Sequence, residues 1–183
     1  VANLNEQNLY LHKLIEHIGY DKVLAGVVGN HEKWARRNGL DMYNDLRKNI
    51  PIFDGVGTVE LLINNIPYTG AVMHKAKGNS YFNPNHGQKR FSMENEGYDF
   101  VLSAHTHVGA EQSQVKNTSK GMRKVVFLSG KTFKRGDDFL GGEGIPRLSD
   151  EGLGTNWILF NHKKKMMIPL SSTSEVMSVM GMM

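Results

Sequence analysis

With 183 residues, of which 39 % are apolar and 22 % charged, the chain can build one core and has none of the bias of a fibrous or low-complexity protein. It holds no cysteine, which excludes disulfides and thiolate metal sites and fits a reducing, cytoplasmic setting. The net charge of +4 is compatible with an anionic substrate without establishing one, and no run approaches the ~20 apolar residues that span a bilayer, so no membrane partner is expected.

In chain order, Asn5 is expected to cap a helix to about Ile18, with Leu11, Leu14, Ile15 and Ile18 at helical spacing and Gly19 as its stop. Lys22 to Val28 reads as a buried strand, followed by a polar helical turn and a short helix capped by Asp41 that bears Met42 and Leu46. Val56–Ile63 and Ile66–Met73 are strands either side of Asn64-Asn65, a two-residue hairpin turn. A helix over Phe91–Gly97 precedes a strand over Asp99–Ala104. Later strands are expected at Lys124–Leu128, Thr155–Phe160 and Met166–Leu170, and the Ser- and Met-rich segment 171–183 reads as a flexible tail beyond a domain spanning 1–170. The pattern is mixed α/β.

Three of these strands stop at polar residues of metal-ligand type. Val27-Val28 runs into Gly29-Asn30-His31-Glu32, Val72-Met73 ends at His74, and Phe100–Ala104 runs into His105-Thr106-His107. Strand ends gathered at one sheet edge are where open α/β folds bind ligands. Imidazole suits zinc, manganese, iron and nickel, and an amide oxygen tolerates manganese or magnesium. His105 and His107, two apart, share a face on a strand and can diverge onto adjacent ions just beyond it. His31 follows Asn30 directly, points elsewhere, and is free to donate a proton. Each of these histidines also has a plain structural alternative.

As a set, Gly29-Asn30-His31-Glu32, His74 and Ala104-His105-Thr106-His107 resemble the last three of the five signature blocks of the calcineurin-like metallophosphoesterase superfamily, with Ala104 in place of the usual Gly. The resemblance implies a two-sheet mixed β-sandwich flanked by helices, here lacking its N-terminal strands. It implies a hydrolase with two divalent ions, manganese favoured and zinc, iron, nickel or magnesium admissible. Asn30, His74, His105 and His107 would be metal ligands and His31 the acid for the leaving group. Two ions about 3.5–4 Å apart can hold the attacking and leaving oxygens of a phosphoryl group. The implied substrate is a phosphomonoester or phosphodiester, on a small molecule, nucleotide or nucleic acid, and the general look is similar to small phage and bacterial phosphoesterases.

The first two signature blocks are missing. No Asp-x-His occurs, and the one Gly-Asp pair, Gly136-Asp137, follows the last motif. These blocks carry the bridging carboxylate in the family, so the chain reads either as the C-terminal part of a longer enzyme, inactive alone, or as a half-domain retained for binding or assembly. Arg36 and Arg37, one to two turns beyond His31, and His86, in the Gly/Asn/Pro loop between two ligand strands, are candidate substrate contacts. His12 and His17, five apart on a helix, read as surface or structural residues, and His162 as solvated. The segment Gly130–Gly154, with seven glycines, is too long for an idle connection; its Lys131, Lys134, Arg135 and Arg147 could meet a phosphate, although a surface loop is the plainer reading.

Overall fold

The computed structural model describes residues 3–80, 82–119, 121–133 and 154–181. The chain divides into two compact units, residues 1–59 and 60–183. It is a mixed α/β protein with a five-stranded mixed sheet and flanking helices. Lys134, Arg135, Asp137 and Arg147 lie outside the described residues.

In the first unit, α1 (Leu4–Ile18) is capped by Asn3 rather than Asn5. The reason is reciprocal bonding: the Asn3 side chain accepts from the Glu6 N–H at 3.0 Å, and Glu6 accepts from the Asn3 N–H at 2.8 Å. Ile15 packs with Leu46 and Ile50, and Leu11 leans on the same cluster. The strand expected over Lys22–Val28 is confined to β1 (Gly26–Val27), paired in parallel with β2 (Ile52–Phe53). Tyr20–Lys22 instead closes a 3-10 turn behind Gly19. α2 (Asn30–Arg37) starts directly after Gly29. The short helix expected after Asp41 is a set of turns ending in a 3-10 turn over Leu46–Lys48.

β3 (Val56–Ile63) crosses from the first unit into the second and turns into β4 (Ile66–Met73). Asn64 and Asn65 take φ of 48° and 66°, the left-handed pair that a two-residue hairpin requires and Asn tolerates. Next come α3 (His86–Glu94), β5 (Phe100–Ser103), β6 (Ala110–Thr118) and β7 (Gly121–Ser129). The sheet order is β3-β4-β5-β7-β6, with β4, β5 and β7 parallel and β6 antiparallel at the edge. β8 (Trp157–Phe160) and β9 (Met167–Leu170) form a separate antiparallel pair.

Alternation along the central strands sorts the core into two layers. Ala71, Met73, Val101, Val125 and Phe127 face one way, with Phe91 of α3 packed against them. Tyr68, Phe100, Val126 and Leu128 face the other, against Met167, Ile158 and Phe160 of the β8–β9 pair. Val101, Val126 and Phe127 are 0 % exposed, and each such burial contributes roughly 1.5–3 kcal/mol. Gly70 stands opposite Phe100, whose ring occupies the space a Cβ would need: the atoms would approach to 1.9 Å. The Tyr68 hydroxyl, buried in this layer, accepts from the Met166 N–H at 3.1 Å and ties the β8–β9 turn to β4.

Three differences from the sequence reading have plain causes. α3 starts at His86, not Phe91, because Gly87, Gln88 and Ser92 supply its buried face in place of apolar residues. β6 went unseen because residues 111–115 are all exposed and mostly polar, which gives no periodic signal. Where a flexible tail was expected, α4 (Thr173–Gly181) forms, with Val176 buried and Glu175 bonded back to the Ser171 N–H at 2.7 Å.

Candidate functional site

The parallel strands β4, β5 and β7 end level with one another: Met73 pairs with Ser103, and Ser103 with Ser129. Whatever follows each strand is therefore delivered to one edge. His74 follows β4, Ala104 to His107 follow β5, and Gly130 to Thr132 follow β7. The Ala104 N–H bonds the His74 carbonyl at 3.1 Å, and the Gly130 N–H bonds the Ser103 carbonyl at 2.6 Å, carrying the register one residue past the strands.

The edge brings His74 and His105 together. His74 Nε2 and His105 Nδ1 are 3.0 Å apart, with the rings edge to face at 75° and their centroids 4.9 Å apart. One nitrogen carries the proton and the other accepts it. His107 turns away to the β7 side, where its Nδ1 lies 3.0 Å from Thr132 Oγ1. His105 and His107 both hold positive φ, 75° and 56°. Histidine enters that region more readily than most residues but still at a cost of order 1 kcal/mol, and such outliers gather at functional sites. The Thr106 N–H bonds the Ala104 carbonyl at 3.0 Å inside the same tight turn.

Behind the imidazoles lies a polar cluster that the sequence reading missed. Gln88, 0 % exposed, donates from Nε2 to Ser103 Oγ at 2.7 Å and to the Leu128 carbonyl at 3.3 Å. Asn79 Nδ2 donates to the same Ser103 hydroxyl at 3.2 Å, while its Oδ1 accepts from the Gly87 N–H at 2.6 Å. Helix α3 is thereby pinned to the ends of β5 and β7. A buried Ser at the last residue of each of these strands was the available signal.

Two nitrogens held at ~2.1 Å in neighbouring octahedral positions of one ion are about 3 Å apart, so the His74–His105 spacing fits a shared ion as well as a shared proton. The Thr132 contact on His107 Nδ1 is the kind of outer partner that orients a ligand ring through its far nitrogen. Among the described residues, however, no group of three or more His, Cys, Asp or Glu side chains is placed to hold a metal. The pair fits one ion and does not by itself make a two-ion centre. Asp99 sits before the first residue of β5, at the opposite end of the strand, and is occupied by Arg123 at 2.7 Å and Lys165 at 3.1 Å.

Asn30 and His31 belong to the first unit, as exposed residues of the first turn of α2, with the His31 ring 4.9 Å from that of Trp34. Arg36, a candidate substrate contact, is engaged by Asp54 at 3.1 Å and Asp41 at 3.2 Å. Arg37 is exposed on the same helix. His86 is exposed at the start of α3, its ring over Gly78, where an added Cβ would come within 2.9 Å of it. In the first unit, burial first and Glu32 second push the Tyr43 hydroxyl up to about 12.

Compared with protein-family models, with curated proteins and with solved structures, the chain matches none. Among the described residues, no helix is long and apolar enough to cross a membrane.

Proposed function

We propose that the chain is a metal-dependent phosphoesterase of the calcineurin-like kind, built on the two-sheet sandwich that goes with it. The observation that carries this reading is the His74–His105 pair, 3.0 Å apart at the level ends of three parallel strands. Sequence motifs put these two histidines in the same ligand set, and the sheet register delivers them to each other. His74 and His105 would hold one divalent ion, with manganese the first choice. A bound ion of this type acts as a Lewis acid toward a phosphoryl group.

The chain's own residues have separate tasks. Gln88 and Asn79 fix Ser103 and so the turn that bears His105. Thr132 holds His107 by Nδ1, so Nε2 is the nitrogen with which His107 would meet an ion. The roles of Asn30 as a ligand and His31 as proton donor rest on the Gly-Asn-His-Glu sequence. The substrate class is a phosphomonoester or phosphodiester, including nucleotides and nucleic acids.

A second reading, a non-catalytic binding or assembly module, is favoured by one observation: the sequence lacks the Asp-x-His and Gly-Asp-x-x-Asp blocks that carry the bridging carboxylate in the family it resembles. Titration of the chain with manganese, followed by the loss of the free-ion electron paramagnetic resonance signal, tests the first requirement. One ion should bind and be lost in His105→Ala. Absence of binding, or binding indifferent to both His74→Ala and His105→Ala, overturns the metal site. A bound ion with no turnover of bis(p-nitrophenyl) phosphate, in this chain and in a form extended upstream, favours the binding module.

A further inference from the structure

A second feature lies at the other end of β5 and β7, independent of the imidazole pair. The last turn of α3 and the β6–β7 hairpin enclose a groove of about 390 Å³, lined among others by Ser92, Tyr98, Gln114, Lys116 and Arg123. That is within the ~300–1,000 Å³ of small-molecule sites. Lys116 and Arg123 are directly opposed across the antiparallel pair, so two cations share one face of the hairpin. Like charges so placed repel, and the arrangement persists only if something offsets it.

For Arg123 the offset is visible. Its Nε and Nη2 reach Asp99 Oδ1 at 2.8 and 2.7 Å, and Lys165 takes the other oxygen of that carboxylate. Glu96 also lines the groove, but its carboxylate accepts from the Ser119 hydroxyl at 2.7 Å and is held low by that contact. Lys116 has no carboxylate within ion-pair distance among the described residues. Its ammonium donates to the Ser92 hydroxyl and, at 3.4 Å, to the Lys89 carbonyl, and stands 5.6 Å from the centre of the Phe127 ring.

An ammonium has three N–H donors, and neutral partners take two of them here. Burial disfavours the charge, lowering the Lys116 pKa from its ordinary value. What is missing is an anion. We propose that this groove binds a small organic anion, with Lys116 as the anchoring cation that meets its carboxylate or phosphate. Gln114, two residues away on the same face, supplies a side-chain amide, and Tyr98 and Val125, the partner of Gln114 across the pair, supply apolar walls for the body of the ligand.

The test titrates the full chain separately with benzoate and with inorganic phosphate and follows backbone amide shifts. Saturable shifts are expected in residues 92–98 and 114–118. Binding should weaken at least about tenfold in Lys116→Gln, since a charge-assisted hydrogen bond is removed, and should be unchanged in Lys163→Gln. Should Lys116→Gln fail to fold, the unaltered protein still decides: either anion should slow reductive methylation of Lys116 relative to Lys163. A response to phosphate alone assigns a phosphoryl headgroup, and a response to benzoate alone assigns a carboxylate. No saturable shift and no protection by either anion, or equal binding in Lys116→Gln, overturns the proposal.

Discussion

His74 Nε2 and His105 Nδ1 lie 3.0 Å apart although 31 residues separate them in the chain. The contact exists because β4 and β5 are parallel and end at the same level. If both rings hold one ion, their contributions are not independent. Each of His74→Ala and His105→Ala should lower manganese affinity at least about tenfold, and the double variant should bind little worse than either single one. Additive losses, read by calorimetry, would show that the two rings serve separate sites.

The backbone at His107 offers a separate measurement. Its φ of 56° is one that glycine adopts freely and alanine does not. His107→Gly should therefore be more stable than His107→Ala by about 1 kcal/mol, the reverse of the usual order for these two residues. Thermal unfolding of the two variants checks this; equal midpoints would mean that the turn relaxes when the imidazole is gone.

Asp99 is 1 % exposed and serves Arg123, Lys165 and the Thr69 N–H together. Asp99→Asn leaves two cations without their partner, and cutting one side of a buried pair costs about 3–5 kcal/mol. Since Lys165 remains 46 % exposed, the expected loss is at the lower end of that range, about 3 kcal/mol. Urea unfolding of the variant measures it, and a loss below about 1 kcal/mol, as for a surface pair, would contradict the assignment.

Acid should release α4 before the sheet. The Ser171 backbone N–H, then the Ser171 hydroxyl, holds the Glu175 carboxyl below its ordinary value of 4.5. The folded value is the lower one, so this contribution is complete above the ordinary value and disappears as pH falls through the folded value. Amide exchange at Val176, whose N–H bonds the Ser172 carbonyl at 3.2 Å, should quicken over that window in the natural chain. In Glu175→Gln the step should be absent.

The central strands were legible because β4, β5 and β7 each bury apolar residues on both faces, and the Asn64-Asn65 turn because few other pairs accept two positive φ values in succession. The His74–His105 meeting was legible only as a common strand-end pattern; the distance needed the register. β6 was not legible, since it is ordered by backbone bonds to β7 rather than by burial. Nor was the polar cluster around Gln88, because a glutamine at 0 % exposure has no mark in sequence that separates it from one on the surface. Lys116 reads as one more surface lysine until β6 and α3 are placed side by side.

The level ends of β4, β5 and β7 also bear on the time course of folding. β6 and β7 pair residues as close as Thr118 and Gly121, a hairpin that can close in microseconds. The parallel pairings join Gly70 to Phe100 and Phe100 to Val126, separations of 100 − 70 = 30 and 126 − 100 = 26 residues, whose loop entropy must be overcome before any bond rewards it. A chain caught part-way would carry Lys116 and Arg123 already face to face while His74 and His105 had yet to meet, so the imidazole contact marks completion of the sheet.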